Sequence, residues 1–365
     1  MSTTRVIYQA EGLYVSPSPS TGFHYVGGTV DQTRNLVSGL NRVQDISYGF
    51  TIPLKDVNQF GELAAIDRIP IDQPTVNLSF SYLQNGLYNE KLLGFYISSG
   101  TQVSAINNFL NGSQDDKNYF IRTTSIGQDL VAANATNDFV FGIGNGFISS
   151  YSTEGSVGNF PKSSITVEGL NMEMEQNISG NPIPAVDPTN GTALALTYQL
   201  PILLSGPAGN PALSGISALR PGDINVSLDY NGGGVDTTDW KVQSYTLNYG
   251  ISRDPQLKLG SKYAFARLIR YPLNVSCSIT ANVGDQKTGS LIELVNNNAN
   301  YNVTIDIKKA GTSTTVCNYQ LKGAKLESQN FSSSIGSSKS VVLSFSTQIS
   351  ASGQTSIGAF MSGWN

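Results

Sequence analysis

The sequence predicts a mainly β protein, and three observations support this prediction. Apolar and polar residues alternate with a period of two in many segments, which is the pattern of strands buried on one face. Asn-Gly, Gly-Asp and Gly-Gly pairs separate these segments, as tight turns require. Only 13% of the 365 residues are charged, while 37 are glycine. This composition favours short strands and a surface of hydroxyl and amide groups.

The alternating segments follow one another along the whole chain. The clearest are residues 76–82, 224–230, 245–251, 303–307 and 341–345. Two short stretches have helical spacing instead, at residues 88–96 and 289–296. We therefore expect strands throughout, with one short helix in each half.

The sequence also repeats itself. A shift of 199 residues without gaps aligns 43–79 with 242–278 and superposes the two candidate helices. Eight positions are then identical: Val43/Val242, Gln44/Gln243, Ile52/Ile251, Gly61/Gly260, Ala65/Ala264, Arg68/Arg267, Val76/Val275 and Ser79/Ser278. A later match, of 165–167 with 341–343, needs a shorter shift, which indicates an insertion in the first half within 97–140.

This repeat predicts two tandem β-sandwich or open-barrel domains, each with a short flanking helix. The first spans residues 1–185 and begins with an N-terminal arm, 14–28, rich in Gly, Ser and Pro. The second spans residues 186–365. Between them, the segment 180–191 contains three prolines and two glycines, which interrupt strand pairing and indicate a linker.

Composition excludes several classes of protein. No apolar run is long enough for a membrane helix, and we expect no signal peptide and no membrane insertion. A net charge of −4 argues against tight binding of a nucleic-acid backbone. Cys277 and Cys317 can form one bridge at most, and a reducing compartment is the simpler interpretation.

Catalytic or metal-binding motifs are scarce, so we expect no enzyme activity and no cofactor. His24 is the only histidine, which leaves little basis for a catalytic triad or a Cys/His zinc site. The glycine-rich run 142–146 lacks the helix of a phosphate-binding loop, and we expect a hairpin there. We expect solvated acidic loops, and not calcium sites, at Asp115-Asp116 and at Asp236 and Asp239. A sugar-binding platform stays open for tyrosines such as Tyr48, Tyr82, Tyr245 and Tyr249, although strand pairing in the core is the favoured interpretation.

Four residues are candidates for assembly, because both copies of the repeat retain them. Arg68 and Arg267 each precede a proline and a strong strand, and Gly61 and Gly260 lie upstream. We expect each arginine to pair with a carboxylate on the neighbouring domain or subunit.

Several segments follow one another in a characteristic order. The segments 222–226, 242–251 and 257–272 and the helix at 291–295 come first, and the stretch LKGAKLESQNF at 321–331, the loop 332–336 and the strand 341–345 follow. In pattern and order the sequence resembles bacteriophage tail tube proteins, with the last three segments similar to the closing strands of such subunits.

The resemblance implies a structural virion protein of the tail, assembled in the host cytoplasm. Its partners would be itself, as homotrimeric pseudo-hexameric rings that stack into a tube, other tail proteins, and genomic DNA passing through the lumen without specific binding. Two alternatives remain open. One is another virion ring or surface protein (a terminator, baseplate, adaptor or decoration protein), and the other is a glycan-binding β module or β-rich hydrolase.

Overall fold

A computed structural model describes most of the chain. The described residues are 11–17, 23–26, 29–35, 37–98, 103–112, 115–124, 130, 139–176, 200, 218–230, 233–234, 241–260, 263–264, 266–282, 300–335, 338–349 and 355–363. The predicted linker 180–191, the second predicted helix 289–296, and Asp236 and Asp239 lie outside them. Within the described part, no helix is both long and apolar enough to cross a bilayer.

The chain is mainly β, as the alternation predicts. The first half contains β1 (Glu11–Pro17), β2 (Phe23–Val26), β3 (Thr29–Asn35), β4 (Ser38–Gly39), β5 (Val43–Thr51), β6 (Leu54–Val57), β7 (Asp67–Pro70), β8 (Thr75–Leu83), α1 (Tyr88–Leu93), β9 (Ile97–Ser98), α2 (Asn107–Leu110), β10 (Asp116–Thr123), β11 (Phe139–Ser156), β12 (Lys162–Gly169) and β13 (Asn171–Gln176). The second half contains a 3-10 turn (Pro221–Asp223), β14 (Ile224–Tyr230), β15 (Gly233–Gly234), β16 (Lys241–Gly250), β17 (Arg253–Gln256), β18 (Ala266–Ile269), β19 (Leu273–Asn282), β20 (Tyr301–Lys308), β21 (Thr315–Ser332), β22 (Ser340–Ile349) and β23 (Gly358–Gly363).

Eight antiparallel strands form one layer that runs through both halves. Their order is β5, β8, β12, the C-terminal part of β11, β16, β19, β22 and the C-terminal part of β21. The N-terminal parts of β11 and β21 leave this layer. They pair instead with β10 and β13, and with β20 and β23, respectively. The buried side chains of both halves form one continuous apolar cluster.

The strands of the second half follow those of the first in the same order. The 199-residue shift places β6 and β7 on β17 and β18 with identical bounds, and it places β5 and β8 within one residue of β16 and β19. β11 and β21 both contain 18 residues and change partners midway. The division at residue 185 lies outside the described residues, so the two-domain boundary stays a prediction.

One helix is where the sequence predicts it, and two other segments differ from expectation. Helix α1 ends at Gly94, whose φ of 101° gives a left-handed C-terminal cap. The predicted N-terminal arm, 14–28, starts inside β1, whose Tyr14 and Val15 are buried and paired with β10. The glycine-rich run 142–146 is not a hairpin, because β11 continues through it. A Cβ at Gly146 would lie 2.8 Å from the Tyr119 ring, so this glycine allows the strands to approach closely.

Candidate assembly surfaces

The two halves join along a seam between β11 and β16. Seven residue pairs lie opposite each other there, from Ser150 with Gly250 to Ser156 with Ser244. Thr153 and Tyr249 on these two strands are buried. The seam is therefore a continuous antiparallel ladder with a packed inner face.

The outer strands of the eight-stranded layer are the counterparts of these two seam strands. β5, which corresponds to β16, pairs with β8 alone among the described strands. Residues 325–332 of β21, which correspond to 147–154 of β11, pair with β22 alone among the described strands. The layer therefore ends on one side with β5, the counterpart of the seam strand β16, and on the other side with β21, the counterpart of the seam strand β11.

These outer strands expose aromatic side chains at positions whose counterparts in the internal seam are buried. Phe50 is 58% exposed, whereas its counterpart Tyr249 is 1% exposed. Phe331 is 53% exposed, whereas its counterpart Thr153 is fully buried. Exposed aromatic residues on a strand edge are candidates for contact with another molecule.

Two buried arginines reinforce the internal seam beyond the ladder. Arg253 binds Asp115 through two hydrogen bonds of 2.6 and 3.0 Å, and its side chain is 1% exposed. Arg267 donates to Glu168 across 2.7 Å. Both guanidinium groups lie over the Phe147 ring, at 5.0 and 5.9 Å from its centre. Asp115 is thus an ion-pair partner and not the solvated loop residue that the sequence predicts. The sequence does not reveal the pair because Arg253 is 138 residues away.

Each half also extends one long hairpin from the layer. The first hairpin, residues 52–74, contains β6 and β7, and the second hairpin, residues 251–272, contains β17 and β18. Gly61 and Gly260 have left-handed φ values of 92° and 82° near the two tips, where the chain reverses direction. The backbone of Ala264 in the second hairpin donates to the Gln73 side chain of the first, across 2.9 Å.

The two hairpins differ in how much of them is covered. In the second hairpin, Arg267 reaches Glu168 of the first half, so it pairs across the internal seam. In the first hairpin, the ion-pair partner of Arg68 among the described residues is Asp56 of the same hairpin, at 2.6 Å, and the Arg68 side chain is 67% exposed. Arg68 in the first hairpin is thus exposed to solvent, whereas the first half of the chain covers Arg267, its counterpart in the second hairpin.

The face of the eight-stranded layer away from the core is rich in hydroxyl and amide groups. One row crosses all eight strands through directly opposed residues, with a charged residue at each end: Asp45, Ser81, Ser164, Ser152, Asn248, Ser276, Ser346 and Lys325. Neighbouring rows contain further polar residues: Asn77, Ser79, Thr166, Thr246, Asn274, Ser278, Thr280, Ser344 and Gln348. Lys162 stands at a strand end and pairs with Glu154 at 3.6 Å.

A buried carboxyl group on α1, that of Glu90, belongs to a hydrogen-bonded cluster that reaches the second half. Tyr82 and Tyr151 donate hydrogen bonds to Glu90, at 2.8 and 3.1 Å, and the nearby Gln84 donates to Tyr319 of β21 at 2.8 Å. Burial raises the pKa of Glu90 to about 7, although these hydroxyl groups favour its charged form. Glu90 is fully buried, and the hydrogen bond from Gln84 to Tyr319 extends the cluster into the second half.

The structure also locates the tyrosines, the cysteines and the histidine that the sequence singles out. Tyr82, Tyr245 and Tyr249 are buried, so they form no sugar-binding platform, and Tyr48 is half-buried. Cys277 and Cys317 are both buried and unbridged. His24 lies on β2, where only the backbone is described. No group of three potential metal ligands occurs among the described residues.

Comparisons with known proteins complete the description. No protein-family model and no curated protein matches the chain. One similar solved structure is a chain of the anti-feeding prophage baseplate, with 13% identity, 39% of this chain and 93% of that chain covered, and a TM-score of 0.28. Another is the SPP1 tail tube, with 9% identity, 52% and 96% covered, and a TM-score of 0.31.

Proposed function

We propose that this chain is a structural, non-enzymatic subunit of a phage tail, whose copies join edge to edge into a ring. The observation that carries the proposal is the pair of outer strands that match the two strands of the internal seam. Residues 325–332 of one copy pair with β5 of the next, as β11 pairs with β16 inside the chain. Such a head-to-tail contact leaves the same two edges at every junction, so it closes a ring or continues indefinitely.

The internal seam gives the pairing between copies residue by residue. Ser150 lies opposite Gly250, and their counterparts are Ser328 and Thr51. Phe331 of one copy then lies opposite Tyr48 of the next, and Ser332 opposite Ser47. The Phe331–Tyr48 pair brings two aromatic rings together across the ladder, where such pairs are favourable. A ring of three chains would contain six equivalent seams, as the resemblance to tail tubes implies.

The polar face of the layer supports a channel for DNA. When the layer closes into a ring with this face inward, hydroxyl and amide groups line the lumen. These groups do not retain phosphates as rows of Lys and Arg would, so DNA slides past. Assembly in the host cytoplasm and location in the virion tail complete the proposal.

The hairpin tips support the stacking of rings into a tube. Phe60, Leu63 and Leu259 are exposed almost completely at these tips. Apolar side chains so far from the core suit a contact with another ring more than a free surface. This feature favours a stacked tube over a tail protein that forms one ring only.

The proposal is tested by negative-stain electron microscopy together with mass measurement of the purified chain. We expect rings or tubes, with three chains per ring, for the native sequence. Phe331→Asp places a charge at the centre of the proposed seam and should leave monomers. Phe160→Asp is the control, because Phe160 is equally exposed, at 56%, in the turn between the interior strands β11 and β12. Native chains that stay monomeric at every concentration, or equal assembly of both variants, would refute edge pairing.

A further inference from the structure

The internal ion pair of Arg267 has an incomplete counterpart at the free edges. Arg267 corresponds to Arg68 by the 199-residue shift. Glu168 lies opposite Asn77 of β8, and the counterpart of Asn77 is Ser276, which lies opposite Ser346. The position of Glu168 is therefore occupied by Ser346 in the second half, and this serine cannot neutralise an arginine.

A different residue brings a carboxylate to this position. Glu327 lies in a bulge between Leu326 and Ser328, at the same place as Ser149 in the bulge between Ile148 and Ser150. The hydroxyl of Ser346 donates a hydrogen bond to the Glu327 carboxylate. Glu327 is exposed. Its carboxylate thus lies beside the position that Glu168 has at the internal seam.

We infer that Arg68 of one copy pairs with Glu327 of the next copy, as Arg267 pairs with Glu168 inside the chain. This inference rests on the edge pairing proposed above and adds a specific contact to it. The exposure of Arg68 is consistent with a missing neighbour, because its side chain is 67% exposed and that of Arg267 is 3% exposed. The neighbouring copy supplies the cover that the first half supplies to the second hairpin.

The surrounding charges are arranged to accept this pair. Asp56 contacts Arg68 from its own hairpin. Lys325 stands at the position of Phe147, whose ring centre is 5.9 Å from the Arg267 guanidinium, so Lys325 and Arg68 come near each other when the copies join. Glu327 lies beside both cations. The two carboxylates, Asp56 and Glu327, then balance the two cations.

Charge reversal tests the pair. Arg68→Glu and Glu327→Arg should each raise the protein concentration needed for half-assembly by about tenfold or more, and the double variant should restore most of the loss. Lys55→Glu is the matched control. It makes the same charge change one strand away, on the opposite face of the first hairpin, so it should have a much smaller effect. Equal losses for Lys55→Glu and Arg68→Glu, or no recovery in the double variant, would overturn the pair.

Cysteine cross-linking separates this inference from the ring itself. One variant carries Ser47→Cys with Ser332→Cys, which lie opposite each other in the proposed seam. A second variant carries Arg68→Cys with Glu327→Cys and is treated with a bismaleimide cross-linker, because the Cα atoms of an Arg–Glu ion pair lie farther apart than the roughly 7 Å that a disulfide spans. Cross-linked multimers from both variants support the ion pair. Multimers from the seam variant alone leave the ring intact and refute the ion pair, and multimers from neither refute both.

Discussion

Removing the carboxylate of Asp115 should destabilise the monomer far more than removing that of Asp56. In Asp115→Ala, the guanidinium of Arg253, whose side chain is 1% exposed in the native chain, loses both charge-assisted hydrogen bonds. Breaking a buried pair from one side costs roughly 3–5 kcal/mol. Asp115 itself is 22% exposed, and the Ile148 carbonyl and the Phe147 ring remain in contact with Arg253, so we expect about 3 kcal/mol. Asp56→Ala breaks a pair in which both side chains are exposed and should cost below about 1 kcal/mol.

Equilibrium unfolding in urea measures this difference. The protein must be dilute enough to be monomeric by mass, because assembly adds its own stabilisation. A double-mutant cycle with Arg253→Met isolates the pair, since the double variant leaves neither charge buried. We expect the double variant to be more stable than Asp115→Ala. Equal, small losses for Asp115→Ala and Asp56→Ala would refute the argument that burial between the halves sets the energy of the pair.

Three further predictions concern the core and the hairpins. The pKa of Glu90 is raised from 4.5 to about 7, so the stabilisation that its protonated form gives is full below pH 4.5 and is lost as the pH rises through 7. Urea titrations should show that the free energy of unfolding falls by about 3 kcal/mol over this range, and that Glu90→Gln abolishes this fall. An unchanged pH profile in the variant would contradict the assignment. Gly146→Ala should lower the free energy of unfolding by about 2 kcal/mol, because the added methyl group meets the Tyr119 ring. Gly49→Ala is the control and should lower it far less, because the space around its Cβ is open. Equal losses would exclude close approach as the cause. Phe60→Ser should shorten tubes in micrographs without changing the mass of the ring, and tubes of native length would show that the hairpin tip makes no contact between rings.

Local patterns predict the strands well because burial on one face imposes a period of two. The segment 76–82 lies within β8, and residues 224–230 form β14. The later match of the repeat is two residues out, since Ile165 corresponds to Leu343 by strand pairing and not to Val341. An error of two residues keeps every side chain on the same face, so alternation alone cannot detect it.

Contacts between distant residues were beyond the sequence. Asp115 and Arg253 both stand in polar surroundings, and nothing local shows that folding brings them together. The glycines of 142–146 suggest a turn, because the sequence does not show that the Tyr119 ring packs against them. Arg68 and Arg267 were found through the repeat, but their different partners depend on which half has a neighbour.

The difference between the internal seam and the outer strands has a physical explanation. The internal seam joins two halves of one chain, so the halves stay at high effective concentration and the seam forms without a second molecule. It can therefore bury Arg253 and Arg267, whose desolvation must be repaid by well-formed ion pairs. A seam between copies must form from separate molecules that are stable and soluble before they meet. The same positions in the first hairpin are Leu54, which needs no ionic partner, and Arg68, whose charge Asp56 already balances in the monomer. In the proposed contact, Glu327 adds a second carboxylate, so that assembly would gain an ion pair without leaving an unpaired buried charge in the monomer.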